Sequence, residues 1–177
     1  MNTKNLVLMA LLIGIGTALY IVIPGIVQGM KPDFILTMMF IGILLFPTFK
    51  ETFLLGLTSG VLSGLFTTFP AGFLPNVIDK FVTAFVFLAI VLALKKLTAN
   101  MVVTTISVAI GTLISGIIFL SVALFAMGTD VGAPFLILLS SVVLPAVAFN
   151  AVAFIIIYPI IQKLVKRSNF QTSLSQA

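Results

Sequence analysis

The sequence predicts an all-α integral membrane protein, a bundle of six transmembrane helices in one domain over residues 1–167, with both termini cytoplasmic. Three observations carry that prediction. Hydrophobic residues make up 61% of the 177 and charged residues 7%, which leaves too few polar groups to solvate a soluble surface. Mean hydropathy is +1.35, with apolar runs longer than a soluble core uses. Runs such as 82–94 are apolar on every face, where a membrane β-barrel would alternate apolar with polar.

Taken in order, the expected helices cover 6–23, 33–46, 52–66, 76–94, 101–127 and 134–165. The first follows Lys4 as a signal peptide might follow its basic start. No small-residue cleavage site leads from it into a hydrophilic domain, so it is retained as a helix. Pro24-Gly25 ends it, and Gly29 with Pro32 precedes the second. The second and third are short for a hydrocarbon layer of ~30 Å, which takes about 20 residues at about 1.5 Å each. Pro47 separates them, Pro70, Gly72 and Pro75 end the loop before the fourth, and Lys95-Lys96 ends the fourth. The fifth stops before Gly128 to Gly132. Pro145 and Pro159 each remove a backbone donor from the long sixth run, so a kink near Pro145 or a short separate segment before it is expected. Residues 168–177 are small and polar and are expected to be a disordered tail.

Alternation of six spans puts Lys4, Lys50, Lys95, Lys96, Lys163, Lys166 and Arg167 on one side and only Lys31 and Lys80 on the other. The positive-inside bias makes the first side cytoplasmic. The formal charge of +5 therefore reads as topology rather than nucleic-acid binding. Asp33, Asp79 and Asp130 then fall at the outer face.

Much chemistry is excluded. Cys and His are absent, so no thiolate metal site, disulfide or His base can be proposed. No Gly-rich phosphate loop followed by Lys-Ser or Lys-Thr appears, and no nucleophile is identifiable. The chain is expected to be no enzyme, to need no cofactor and to hydrolyse no ATP by itself.

The stretch 69–80 interrupts the apolar pattern with Asn76, Asp79 and Lys80 beside Phe69 and Phe73. With Pro75 at the first helical position, the amides of Asn76, Val77 and Ile78 would be free at a positive helix end, an anion site. Asp79 adds a place for a cation, so a zwitterionic amino acid would find both partners. The competing reading is an acid opposing the helix dipole and a solvated Asp-Lys pair. Phe69 and Phe73 would suit a flat aromatic ligand or anchor the chain at the interface. Lys31-Pro32-Asp33 repeats the arrangement before the second helix, as a loop anchor or a second substrate contact. Asn150 is isolated in an apolar run and should face the bundle interior, for an interhelical hydrogen bond, a carbonyl freed at Pro145, or a ligand.

Two stripes of small residues permit close helix approach: Ala10, Gly14 and Ala18 on the first helix, and Gly56, Gly60 and Gly64 on the third. Packing within the chain accounts for both, and most strongly for the second.

Gly29-Met30-Lys31-Pro32-Asp33, Phe69-Pro70-Ala71-Gly72 with Pro75-Asn76 and Ile78-Asp79-Lys80, and Val143-Leu144-Pro145-Ala146 with Asn150 and Ile157-Tyr158-Pro159 resemble the bacterial tryptophan transporter family, from the first helix to about Arg167. That family is in turn similar to the substrate-binding S components of energy-coupling factor transporters. The resemblance implies uptake of L-tryptophan across the bacterial plasma membrane, energised by a transmembrane coupling subunit and two ATPase subunits. It gives Ala10, Gly14 and Ala18 a second meaning as the face that docks the coupling subunit, with Gly14 a departure from the family's Ala-like pattern. The substrate's carboxylate would lie toward the fourth-helix start and Lys80, its ammonium toward Asp79, and its indole among Phe side chains and Asn150. A solitary ion-coupled carrier using Asp79 or Asp33, an S component for another aromatic metabolite or vitamin, and a membrane assembly protein that transports nothing are the other readings.

Overall fold

A computed structural model of the chain describes residues 3–23, 32–95, 97 and 100–167. These residues are helical apart from short connections. They form α1 (Thr3–Val22), α2 (Phe34–Leu45), α3 (Phe49–Leu65), α4 (Phe73–Ala93), α5 (Met101–Ser121), α6 (Phe135–Leu138) and α7 (Leu144–Arg167). A π-helical turn, Val122–Ala126, extends α5, and a second, Leu139–Val143, joins α6 to α7. Lys31 and the tail 168–177 lie outside the described residues.

Among the described residues, four continuous helical stretches are long and apolar enough to cross a membrane: Thr3–Val22, Phe73–Ala93, Met101–Ala126 and Phe135–Arg167. The other two expected spans form shorter helices. With 12 residues, α2 is about 18 Å long at about 1.5 Å per residue, well under the ~30 Å of a hydrocarbon layer. All of its residues are buried, so its apolar surface faces other helices. The core surrounds it, with Phe40 of α2 stacked on Phe87 of α4 at 4.1 Å between ring centroids.

The glycines of α3 form the seam with α4. A Cβ on Gly56 would lie 2.9 Å from Ala84 Cβ, on Gly60 2.9 Å from Val77 Cα, and on Gly64 2.7 Å from the Phe73 ring. Helix approaches this close exist only because the side chain is a hydrogen atom. The stripe Gly56, Gly60 and Gly64 thus packs within the chain, as its spacing predicts. Ala10, Gly14 and Ala18 do the opposite, since all three are exposed and a Cβ on Gly14 would meet nothing within 4 Å. Gly16, on the other side of α1, does face inward, and its Cβ would lie 2.8 Å from the Phe34 carbonyl oxygen.

The expected weak point at Pro145 is the π turn Leu139–Val143 immediately before α7. Proline offers no amide to the preceding turn, and a π turn is one way a helix absorbs the lost bond. Gly116 of α5 lets Val143 approach its Cα closely, which sets the broken segment against α5. Pro159 remains inside α7.

One expected boundary is wrong in a way that matters. The fourth helix begins at Phe73, with Gly72 as N-cap, and not at Pro75 or Asn76. A Pro-Ala turn makes the early start feasible: Ala71 adopts φ 51°, and the Gly72 amide donates to the Phe69 carbonyl at 3.0 Å.

Gly60→Ala should destabilise the protein by about 1–3 kcal/mol, because the added methyl forces α3 from α4 and outweighs alanine's better helix propensity. Gly14→Ala should be neutral or stabilising. Thermal unfolding of the two variants in detergent checks this, and equal losses would rule out the α3–α4 seam as the tighter contact.

Candidate functional site: a charged cavity at one end of the bundle

Short connections between antiparallel helices bring alternate helix ends together. At one end meet Tyr20 near the end of α1, Asp33 before α2, Thr67 to Pro70 after α3, the first turns of α4, the end of α5 and the start of α7. They enclose a cavity of about 590 Å³, within the roughly 300–1,000 Å³ of small-molecule sites. Lys4, Lys50, Lys95, Lys163, Lys166 and Arg167 lie at the opposite helix ends.

Three charged side chains border the cavity. Lys80 Nζ lies 2.7 Å from Asp79 Oδ2 and 3.0 Å from Asp33 Oδ2. A buried ammonium needs such partners, because desolvation far exceeds what one solvated pair returns. The two acids are not equivalent. At 1% side-chain exposure, Asp79 has every contact internal: Thr83 Oγ1 donates to its Oδ1 at 2.9 Å, and Ser115 Oγ joins Lys80 on Oδ2 at 2.9 Å. Asp33 is 26% exposed. Its Oδ1 accepts from the Leu36 amide at 2.9 Å as the N-cap of α2, and Oδ2 meets Lys80.

Asn150 is fully buried on α7 and joins three helices. Its Oδ1 accepts from the Asp33 amide at 2.7 Å, and its Nδ2 donates to Thr112 Oγ1 of α5 at 3.4 Å. The expectation of an inward-facing, hydrogen-bonded amide holds, and the partner is the start of α2 rather than a carbonyl freed by Pro145. Asn150 also lines the cavity.

Two expectations need correction. The amides of Asn76, Val77 and Ile78 are not a free helix end, because α4 starts at Phe73 and the Asn76 amide already donates to the Gly72 carbonyl at 3.1 Å. The Asn76 side chain also turns back, its Nδ2 donating to that same carbonyl at 2.8 Å. Nor does Phe73 border the cavity, since its ring packs over Gly64. Phe69 does, set edge to face with Phe119 of α5 at 5.1 Å between centroids. Of the expected site residues, Asp33, Phe69, Asn76, Asp79, Lys80 and Asn150 converge here.

Thr112, Ser115, Gly116 and Phe119 of α5 were missed by sequence reasoning. Their signal is present: Thr104, Ser107, Gly111, Thr112 and Ser115 are all buried, a small polar stripe at three- and four-residue spacing on an apolar helix. Tyr20 was missed because one Tyr near the end of an apolar span reads equally well as an interfacial residue.

The fold and this site define a multi-pass helical membrane protein with a small-molecule-sized, charged and aromatic cavity at one end. The chain belongs to the bacterial tryptophan transporter family. Residues 2–166 match the family described as Tryptophan transporter TrpP. A Bacillus subtilis (strain 168) protein named "Probable tryptophan transport protein" is 48% identical over 170 residues, covering 96% of this chain and 97% of the relative. Proteins of the same name are 37% identical in Clostridium perfringens, covering 95% of this chain and 96% of the relative, and 42% identical in Clostridium acetobutylicum, covering 92% and 94%. No solved structure matches. Membership fixes the location as the bacterial plasma membrane.

Lys80→Met leaves the buried Asp79 and the partly exposed Asp33 without their cation and should cost about 3–5 kcal/mol of stability. Ser115→Ala removes one hydrogen bond to a charged group, about 1.5–3 kcal/mol. Denaturant unfolding in detergent should rank them in that order, and a reversed order would mean that Lys80 does not hold the cluster together.

Proposed function

We propose that this protein is the substrate-binding subunit of an L-tryptophan uptake system, a six-helix bundle in which α2 and α3 complete the four bilayer-length stretches. Both termini are cytoplasmic, because the basic helix ends lie opposite the cavity and the positive-inside bias assigns them inward. The cavity then opens toward the outside.

The observation that carries this reading is the juxtaposition of Asp33, Lys80 and Asp79 with the Phe69–Phe119 pair in one cavity, in a chain of the tryptophan transporter family. Lys80 receives the substrate carboxylate. The ammonium goes to the acid pair, and the indole lies against Phe69 and Phe119, where an aromatic pair contributes about 0.5–1.5 kcal/mol beyond area burial. Asn76 and Asn150 hold the surrounding backbone in place. Lys31, two residues before Asp33 in the sequence, is a further candidate contact.

Energy comes from a separate energy-coupling factor module, a transmembrane coupling subunit with two ATPase subunits. Ala10, Gly14 and Ala18 form the docking face. Support for this lies in their exposure and in the open space at Gly14, since a small-residue stripe that the described residues leave uncovered can pack against another helix.

Titration of the purified protein with L-tryptophan tests the substrate. Trp is absent from the chain, so ligand emission is read against little background. A saturable change in intensity and spectral position is expected, and a flat response there and in calorimetry would remove the assignment. Gly14→Leu tests the coupling: binding should persist while uptake in cells falls by about tenfold or more, as expected when a bulky side chain blocks close helix approach. Saturable, uncoupler-sensitive uptake by vesicles containing this chain alone would instead identify a solitary ion-coupled carrier.

A further inference from the structure

Asp33, Lys80 and Asp79 sum to one negative charge, and among the described residues no other ionisable group of opposite sign borders the cavity. That imbalance has a direction. Asp79 is enclosed and uses its oxygens on Thr83, Ser115 and Lys80, so it neutralises Lys80 from the protein side. Asp33 is the exposed member, and its Oδ2 has Lys80 as its one partner among the described contacts. At the start of α4, Asn76 donates both its amide and its Nδ2 to Gly72, Pro75 has no N–H, and Phe73 and Leu74 do not line the cavity, so this end offers the cavity no compensating amide for an anion.

We infer that the cavity is selective for aromatic ammonium ions, with Asp33 as the contact that decides it, so that indole-ethylamines without a carboxylate bind while indole carboxylates without an amine do not. A ligand ammonium inserts at Asp33 Oδ2, and Lys80 keeps its partner Asp79. The charge balance at the cavity becomes neutral on binding a monocation. A zwitterion reaches the same arrangement and places its carboxylate on the side of Lys80 turned from Asp79, giving a row of alternating signs. A bare anion must approach two carboxylates to reach one ammonium, and in a low-dielectric site that repulsion is not screened. The inference extends the proposed tryptophan site to a ligand class and rests on that site, though not on tryptophan being its natural occupant.

Calorimetric titration of the full chain in detergent with L-tryptophan, tryptamine and indole-3-propionate tests it. Tryptamine should bind within about tenfold of tryptophan, and indole-3-propionate roughly a hundredfold more weakly, the scale of one lost charge-assisted hydrogen bond plus repulsion. Asp33→Asn is the decisive variant. Asn is also a good N-cap, so α2 keeps its start while the site becomes neutral. Tryptamine affinity should fall by roughly a hundredfold, and indole-3-propionate affinity should rise above that of the unaltered protein. A gain for the anion is a result that mere loss of structure does not produce.

If tryptophan binds and tryptamine does not, the inference is overturned and the tryptophan reading stands. Tryptamine binding without tryptophan binding gives the converse. Indole-3-propionate binding as tightly as tryptamine, or Asp33→Asn weakening both ligands alike, overturns the inference, as does binding of neither amine.

Discussion

An ammonium group cannot be left alone inside a helical membrane protein, and the arrangement of this bundle at its cavity end follows from meeting that demand at Lys80. One partner, Asp79, is the preceding residue on the same helix. The other, Asp33, comes from the residue before α2, so the ion pair fixes the start of α2 against the second turn of α4. Ser115 ties α5 to the same carboxylate, and Asn150 ties α7 to the Asp33 amide. Each of these groups would be costly to leave unpaired in the absence of water, so they constrain one another. The cavity exists where those four elements are held together but not in contact.

Glycine supplies the complementary constraint. Lys80 reaches its partners because α4 lies almost against α3 along Gly56, Gly60 and Gly64, which leaves the polar side of α4 turned toward α5 and α2. The short, wholly buried α2 then occupies the centre, and the longer helices around it carry the surface that meets lipid. Exposed Leu, Ile and Val along α1, α5 and α7 agree with that division. On α1, small residues interrupt this apolar surface at Ala10, Gly14 and Ala18, and they are exposed among the described residues.

Much of this was legible in residue patterns. Hydropathy and proline positions located the long helices to within a few residues, and the break before Pro145 was expected where the π turn occurs. Asp33, Phe69, Asn76, Asp79, Lys80 and Asn150 stood out because polar residues are rare here and each needs a partner. The start of α4 was misread because Pro75 suits a first helical position, yet it also fits the third, whose amide is unpaired as well. That shift of two residues puts the Asn76 amide inside the helix's own bonding, donating to the Gly72 carbonyl, and not at a free end. Phe73 followed from the same error, being already inside the α3–α4 seam.

The chain alone therefore determined the membrane class, the long helices to within a few residues and several of the polar residues that line the cavity, because burial in hydrocarbon leaves composition little freedom. The pattern at Asp79-Lys80 was equally compatible with a pair contacting substrate and a pair contacting only itself. Tertiary structure added a third member to that pair, Asp33, which sequence separates from Lys80 by an entire helical hairpin. It also assigned the two acids different exposures, enclosing Asp79 and leaving Asp33 at the cavity. Such a difference depends on which helices surround each carboxylate, and a linear sequence of residues carries no direct record of that.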